Sequence, residues 1–402
     1  MNKEGTTRYD CTELPITHFK PKEIGTSIKK LQELGYVKDI CGLELNGEDQ
    51  IIELKPQDLI LPGFNSLDES APQVLMRVTQ FIDELLVKFY GLEPFYNVQR
   101  EEDLVGHLVV GLAPHISAGL VGRIIGFSET QGLLAHPTFH AGLRRDCDGD
   151  EAAVILLMDA LLNFSRQFLP NSRGSTMDAP LVLTAFLNPT EVDDQVHGMD
   201  VAWNYPLELY EASLEMKNPW EVRYGPGQKK VEQLADRLGT EKQYEGYGFT
   251  HPVDNFNHGV QCSAYKTLPS MEEKLLGQME IARKVRAVDV DDVAQLVIQK
   301  HFLRDIKGNL RKFSMQQFRC VKCNEKYRRP PLINKCHQCG GRLIFTVTEG
   351  SVIKYLGLSL KLADQYNFSP YLKQTLKLVE AQVEQVFGKE KEKQVGLGAF
   401  MG

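Results

Sequence analysis

The chain has 402 residues, 42% hydrophobic and 25% charged, with a formal net charge of −7. That length allows two or three domains around a sizeable core, and the composition is that of a folded globular protein, not a disordered or fibrous one. No run of about 18 apolar residues and no basic-then-apolar leader is present, so no membrane span, secretory signal or membrane partner is expected and the predicted location is cytoplasmic.

In chain order, the stretch from Arg8 to Pro62 mixes short β-type runs with turn residues and contains one predicted helix, Ile24 to Leu34. Val74 to Tyr90 carries apolar residues at helical spacing and predicts an amphipathic helix. Leu104 to Phe127 is apolar and punctuated by glycine, which predicts buried strands joined by tight turns. A loop with two histidines and an acidic run follows, then a predicted buried helix from Ala152 to about Phe168. Further helices are expected at Pro206 to Lys217, Glu232 to Leu238, Ser270 to Arg286 and Val290 to Lys300. A cysteine module spans Phe318 to Ile344, and Val352 to Tyr366 pairs with Pro370 to Phe387 as helices. The tail from Gly388 is charged, then glycine-rich, and is expected to be disordered.

The acidic run Asp146-Cys147-Asp148-Gly149-Asp150-Glu151 places four carboxylates in six residues, preceded by Arg144-Arg145. In an extended segment Asp146, Asp148 and Asp150 share one face, and Gly149 lets the backbone bend so that the last carboxylate curls back. Hard oxygen donors meeting at one point suit Mg²⁺, which takes few carboxylates and completes its shell with water and phosphate. A calcium-binding EF-hand loop fails on spacing, because its glycine would fall at Glu151 and its bidentate glutamate at Leu157. His136 and His140 lie four apart just upstream, but Pro137 argues against a regular helix and no third soft ligand is near. They are expected to be structural or to lie close to a bound strand, and His107 and His115 to be satisfied histidines.

Cys320-x₂-Cys323 and Cys336-x₂-Cys339, twelve residues apart, have the spacing of two knuckles that close a tetrahedral Zn²⁺ site. Four thiolates leave no open position, so this zinc is structural, and His337 is surplus. The other cysteines, Cys11, Cys41, Cys147 and Cys262, are expected to be buried thiols. From Arg304 to Arg342 eleven cations stand against two carboxylates, a local charge of +9 on an acidic chain. Such a patch, with Lys322, Arg328 and Arg329 in it, is the footprint of phosphate-backbone contact.

Arg8-Tyr9-Asp10, Thr17-His18-Phe19-Lys20-Pro21-Lys22-Glu23-Ile24, Glu53-Leu54-Lys55-Pro56-Gln57-Asp58, Gly106-His107-Leu108, Leu112-Ala113-Pro114-His115, Arg145 to Glu151, Asp178 to Leu183 and the cysteine module occur in one order. Over nearly its whole length this series resembles the large subunit of archaeal family D DNA polymerase, in its C-terminal part. The resemblance implies an α+β fold, with a double-psi β-barrel catalytic core like that of multisubunit RNA polymerases, helical elaborations, a Cys₄ zinc module and a C-terminal helical segment. Expected boundaries are 1–300 for the core, 301–350 for the basic zinc module, 351–388 for the helical segment and 389–402 for the tail.

It also implies template-directed nucleotidyl transfer from deoxynucleotides to a DNA primer, with two Mg²⁺ ions about 4 Å apart. Asp148 and Asp150 are the committed ligands. The family usually has Asn where this chain has Asp146, whereas RNA polymerases carry a third aspartate there, so Asp146 is a third candidate. Arg144 and Arg145 would neutralise phosphate or balance the aspartates. Gln394, Leu397 and Phe400 resemble a sliding-clamp-binding peptide. The family's large subunit is much longer than 402 residues, so the chain is expected to be a split-gene product or a fragment, inactive until joined by an N-terminal portion and by the small subunit, which carries a 3′–5′ exonuclease. Two other readings stand beside this one: a noncatalytic zinc-ribbon assembly module, and an RNA polymerase-like nucleotidyltransferase.

Overall fold

A computed structural model describes residues 6–64, 69–114, 116–146, 148–164, 169–172, 175–177, 181–248, 255–258, 261–262 and 267–388. The chain divides into two units, Met1–Ser263 and Ala264–Gly402. The architecture is mixed α/β, with a large mixed sheet in the first unit.

The strands of the first unit are β1 (Tyr9–Pro15), β2 (His18–Phe19), β3 (Ile52–Glu53), β4 (Asp58–Pro62), β5 (Leu108–Leu112), β6 (Ala118–Ser128), β7 (Gly132–Ala135), β8 (Glu151–Leu156), β9 (Leu169–Ser172), β10 (Ser175–Met177) and β11 (Val182–Thr184). Seven of them form one sheet in the order β11-β6-β4-β7-β1-β8-β5, and β5 also pairs with β6. That last pairing closes six strands into a ring, which removes their free edges. Pairing is parallel for β1 with β7 and for β4 with β6, and antiparallel for β1 with β8, β8 with β5, β5 with β6 and β4 with β7.

β4 and β6 are locked by a polar group inside the core. Asp58 accepts from Arg123 Nε at 2.8 Å and Nη2 at 2.7 Å, and from the Tyr36 hydroxyl at 2.6 Å. Burial and the adjacent Asp58 hold the Tyr36 phenol well above its ordinary range, so it stays a donor. Gly126 is required by close approach: a Cβ there would lie 2.7 Å from the Ile24 carbonyl oxygen.

The helices of this unit are α1 (Pro21–Ile24), α2 (Ile28–Glu33), α3 (Ala71–Leu85), α4 (Pro137–Gly142), α5 (Leu157–Asn163) and α6 (Leu207–Leu214). The single helix expected from Ile24 to Leu34 is two, because Gly25 takes φ +66° and Ser27 caps α2 by accepting from Lys30 N. The helix expected from Val74 to Tyr90 is α3 followed by a π turn at Leu86–Tyr90, which Gly91 ends at φ +67°. Glu232 to Leu238 holds only a short 3₁₀ turn at Leu234–Asp236.

A larger correction concerns Ala152 to Phe168. Its first part is strand β8, and the helix among the described residues is α5; residues 165–168 lie outside them. Ala152 through Leu156 are each 0% exposed. A continuous apolar run of that length has no period to distinguish a central strand from a buried helix, and the pairing of both edges decides it here. Pro137 likewise starts a helix where it was expected to prevent one, since proline costs nothing at the first helical position.

The second unit is helical: α7 (Met271–Lys284), α8 (Val290–Val297), α9 (Leu303–Met315), α10 (Glu349–Ile353), α11 (Leu356–Gln365) and α12 (Pro370–Phe387). A π turn at Ile298–Phe302 carries α8 into α9, so helix runs unbroken from Val290 to Met315. Leu275, Ile298, Ile306, Leu362, Leu376 and Val379 lie in its core. Between α9 and α10 sit the short strands β12 (Phe318–Cys320), β13 (Lys326–Tyr327) and β14 (Leu343–Ile344), with β12 central and both neighbours antiparallel.

Candidate active site and metal centre

The aspartate loop joins α4 to β8, and both ends are fixed by main-chain bonds. Leu143 N donates to His140 O at 2.9 Å and Arg145 N to the same oxygen at 3.2 Å. At the far end Glu13 N, on β1, donates to Asp150 O at 3.0 Å. Between them the loop turns through two left-handed residues, Arg144 at φ +61° and Gly149 at φ +100°. Gly149 is at home there; the same turn is strained for a residue with a Cβ.

Asp146 and Asp148 are exposed and Asp150 is partly so. Their donor chemistry suits Mg²⁺. The expected convergence is absent from this arrangement: among the described residues, the one group of three or more His, Cys, Asp or Glu side chains whose ligand atoms lie within 4.8 Å of one another is the four cysteines. One reason is visible. Arg145 Nη1 holds Asp150 Oδ2 at 3.2 Å, occupying that carboxylate with a cation of the chain itself. Arg144 reaches the Glu191 carbonyl oxygen at 3.0 Å. Cys147 lies outside the described residues.

Beside the loop, β1 contributes groups that residue spacing did not single out. Thr12 is in register with Glu151, and Asp10 with Ala153. Burial raises the Asp10 carboxyl above its ordinary value, the Arg8 cation 2.9 Å away lowers it, and the Glu151 charge raises it again. Glu13 is fully buried against His140, with Oε1 3.4 Å from Nδ1. Its signal in the sequence was an acidic residue at an inward position of a strand whose neighbours Thr12 and Leu14 face out.

His136 and His140 are buried within the fold. His136 caps α4 by accepting from Thr138 N at 3.1 Å through Nδ1, and its ring packs on Tyr247 at 4.6 Å. Burial, then the nearby His140 and His18, lower its pKa to about 3. Burial lowers that of His18 to about 4. His107 makes an edge contact with Tyr96 at 5.0 Å, and His115 lies outside the described residues.

The cysteine module is pre-formed. Cys320 Sγ lies 3.4 Å from Cys339 Sγ, and Cys323 Sγ lies 3.5 Å from Cys336 Sγ and 3.3 Å from Cys339 Sγ. Four soft donors at mutual van der Waals separation surround a point suited to a tetrahedral ion. Backbone bonds from Asn324 N to Cys320 O and from Gly340 N to Cys336 O turn the two knuckles. Gly341 permits their approach, since a Cβ there would meet Cys320 Sγ at 2.7 Å. The Tyr327 hydroxyl, 3.1 Å from Cys336 Sγ, lowers that thiol to about 6 and so favours the thiolate. Lys322, Arg328 and Arg329 are exposed around the site. Of the other cysteines, Cys11 is buried and Cys262 half-buried, but Cys41 is exposed, contrary to expectation.

Sequence comparison places these features in a family. Residues 1–274 match the family described as the catalytic domain of the DNA polymerase II large subunit DP2. Three proteins named DNA polymerase II large subunit are similar over almost the whole chain. That of Archaeoglobus fulgidus is 54% identical over 399 residues, 99% of this chain and 34% of its own length. That of Methanococcus vannielii is 51% identical over 398 residues, 99% and 34%. That of Pyrococcus furiosus is 52% identical over 385 residues, 96% and 30%. The chain belongs to the family of DNA polymerase II large subunit catalytic domains. It spans about one third of the length of the curated relatives it matches.

The depressed histidine pKa values have a direct consequence for stability. A histidine kept neutral in the fold but titrating near 6.5 when unfolded favours unfolding once the unfolded chain binds the extra proton. Its contribution is therefore complete above about pH 6.5 and declines as pH falls toward the folded values of about 3 and 4. His136→Asn, which keeps a cap acceptor and removes the titration, should flatten the slope of unfolding free energy against pH between 6.5 and 4 in urea titrations. An unchanged slope would show that His136 does not carry it.

Proposed function

We propose that the chain is the C-terminal part of the large, catalytic subunit of a DNA-directed DNA polymerase, acting in DNA replication in the cytoplasm of an archaeon. The observation that carries this reading is the aspartate loop. It is held at both ends on buried elements of a region that matches a polymerase catalytic domain, and it presents hard carboxylates to solvent. We read the six-stranded ring as a double-psi β-barrel, with the loop at its rim.

In this reading Asp148 and Asp150, with Asp146 as a third donor, hold two Mg²⁺ ions. When bound, the ions would activate the primer 3′-hydroxyl and stabilise the leaving pyrophosphate. The chain's own residues position them. Arg145 holds Asp150 until the ions compete for it, and then becomes available for triphosphate or template phosphate. Arg144, exposed at the same turn, serves the same anions. The four cysteines hold a structural Zn²⁺, and Lys322, Arg328 and Arg329 contact the backbone of primer-template DNA.

Catalysis requires assembly with the N-terminal portion of the large subunit and with a small subunit that supplies the 3′–5′ exonuclease. Gln394, Leu397 and Phe400, outside the described residues, are proposed to dock on the sliding clamp.

In the assembled enzyme, Asp148→Ala and Asp150→Ala should each lower primer extension about a thousandfold or more, the scale expected when transition-state charge loses its counterpart. Retained deoxynucleotide incorporation would sink the catalytic reading, and a preference for ribonucleotides would favour an RNA polymerase-like enzyme. Metal analysis should find about one zinc per chain, lost in Cys320→Ser and Cys336→Ser together with the melting transition of the module. Zinc retained in both variants would place it elsewhere. Titration with the clamp should show affinity that disappears when residues 394–402 are removed; equal affinity of the two forms rules out the tail peptide.

A further inference from the structure

We propose that Glu13 and His140 form a buried brace that positions the aspartate loop, a role that rests on the reading of that loop as the catalytic centre. Both side chains are fully buried, with Glu13 Oε1 3.4 Å from His140 Nδ1. Neither carboxylate oxygen of Glu13 finds a hydrogen-bond donor among the described residues, and His140 Nδ1 likewise makes no hydrogen bond. An acid and an imidazole held this way cost free energy that a packed apolar pair would not. A fold that only needed to fill the space under the loop would be better served by leucine.

What the pair does is join the loop's two stems. Glu13 N donates to Asp150 O, and the His140 carbonyl oxygen accepts from Leu143 N and Arg145 N. The His140 ring also reaches across to the Leu14 carbonyl oxygen, 3.4 Å from Nε2. The strand that holds the exit of the loop and the helix that holds its entry are thus tied beneath it by the two ring nitrogens of His140. Arg145 to Asp150 spans the same two ends at 3.2 Å. Were Asp150 to leave Arg145 for a bound cation, the buried contact would keep the stems at a fixed separation. The carboxylates could then meet an ion by side-chain rotation, with no drift of the loop.

Glu13 and His140 touch no substrate in this scheme and act through the loop. The experiment compares Glu13→Leu, His140→Leu, the double Leu variant and Glu13→Gln in the assembled polymerase, beside Asp148→Asn. Each Leu variant should lower kcat about 10- to 100-fold, as for a displacement of about 1 Å, with KM for deoxynucleotide within about twofold. The double variant should lose no more than His140→Leu, because that variant already removes both contacts. Glu13→Gln, whose amide can meet His140 Nδ1 with its oxygen or its nitrogen, should recover most of the loss.

Two readouts do not depend on turnover. Amide exchange at Glu13 and Arg145 should quicken in the Leu variants, and Mn²⁺ affinity measured by spin resonance should weaken about tenfold. A double Leu variant with full kcat and unchanged exchange overturns the brace, as does a loss of activity that only follows a loss of thermal stability. If Asp148→Asn keeps full activity, the loop is not the catalytic centre, yet the exchange rates still report whether the brace exists.

Discussion

Pairing of β8 on both edges is the constraint on which the rest of the first unit depends. With β1 on one side and β5 on the other, and with Ala152 through Leu156 wholly buried, the strand has no freedom to slide. A slip of one residue would turn every side chain to the opposite face, and none of these positions has a solvent face to accept one. The point where Asp150 leaves the sheet is therefore set by the core. Closure through β5 and β6 extends the same constraint around six strands, so the register at Asp150 is bound to the register everywhere else in the ring. A loop able to gather charge without unfolding its surroundings needs a mounting of this kind.

The two metal-type sites illustrate opposite uses of backbone. In the cysteine module the knuckle turns and Gly341 bring four sulfurs together without help, and Tyr327 already favours one thiolate. A closed set of soft donors suits an ion that never leaves. The aspartate loop keeps its donors apart and exposed, with a guanidinium on one of them. Under the proposed function, such an arrangement would suit ions that arrive with phosphate, since each must keep positions for substrate oxygens. Convergence would there be a property of the loaded state, whereas for the cysteines it is a property of the fold.

Much of this was legible in the sequence. The Cys-x-x-Cys pairs, the amphipathic helices α3 and α12, and the glycine-punctuated strands β5 and β6 follow from spacing that local physics determines. The run after Glu151 did not, because five buried apolar residues carry no periodicity and only the partners β1 and β5 make them a strand. Pro137 was misjudged for a related reason. Proline was expected to prevent a regular helix between His136 and His140, when it follows the cap His136 as the residue best suited to begin one. Glu13 was invisible to motif reasoning, since its significance lies in facing inward beside a histidine 127 positions away.

These residues lie on the two elements that flank the loop. His136 can accept from Thr138 N only while Nδ1 is unprotonated, and burial keeps it so. The cap orients α4, and the last turn of α4 delivers Arg145 to Asp150. His140, one turn further along the helix, faces Glu13 on the strand that holds the other stem. The apolar core thus surrounds the sheet, while a few buried polar contacts run from it to the helix. Polar contacts are directional where apolar packing is not. That is a physical reason to find ionisable side chains in the interior directly beneath the aspartates.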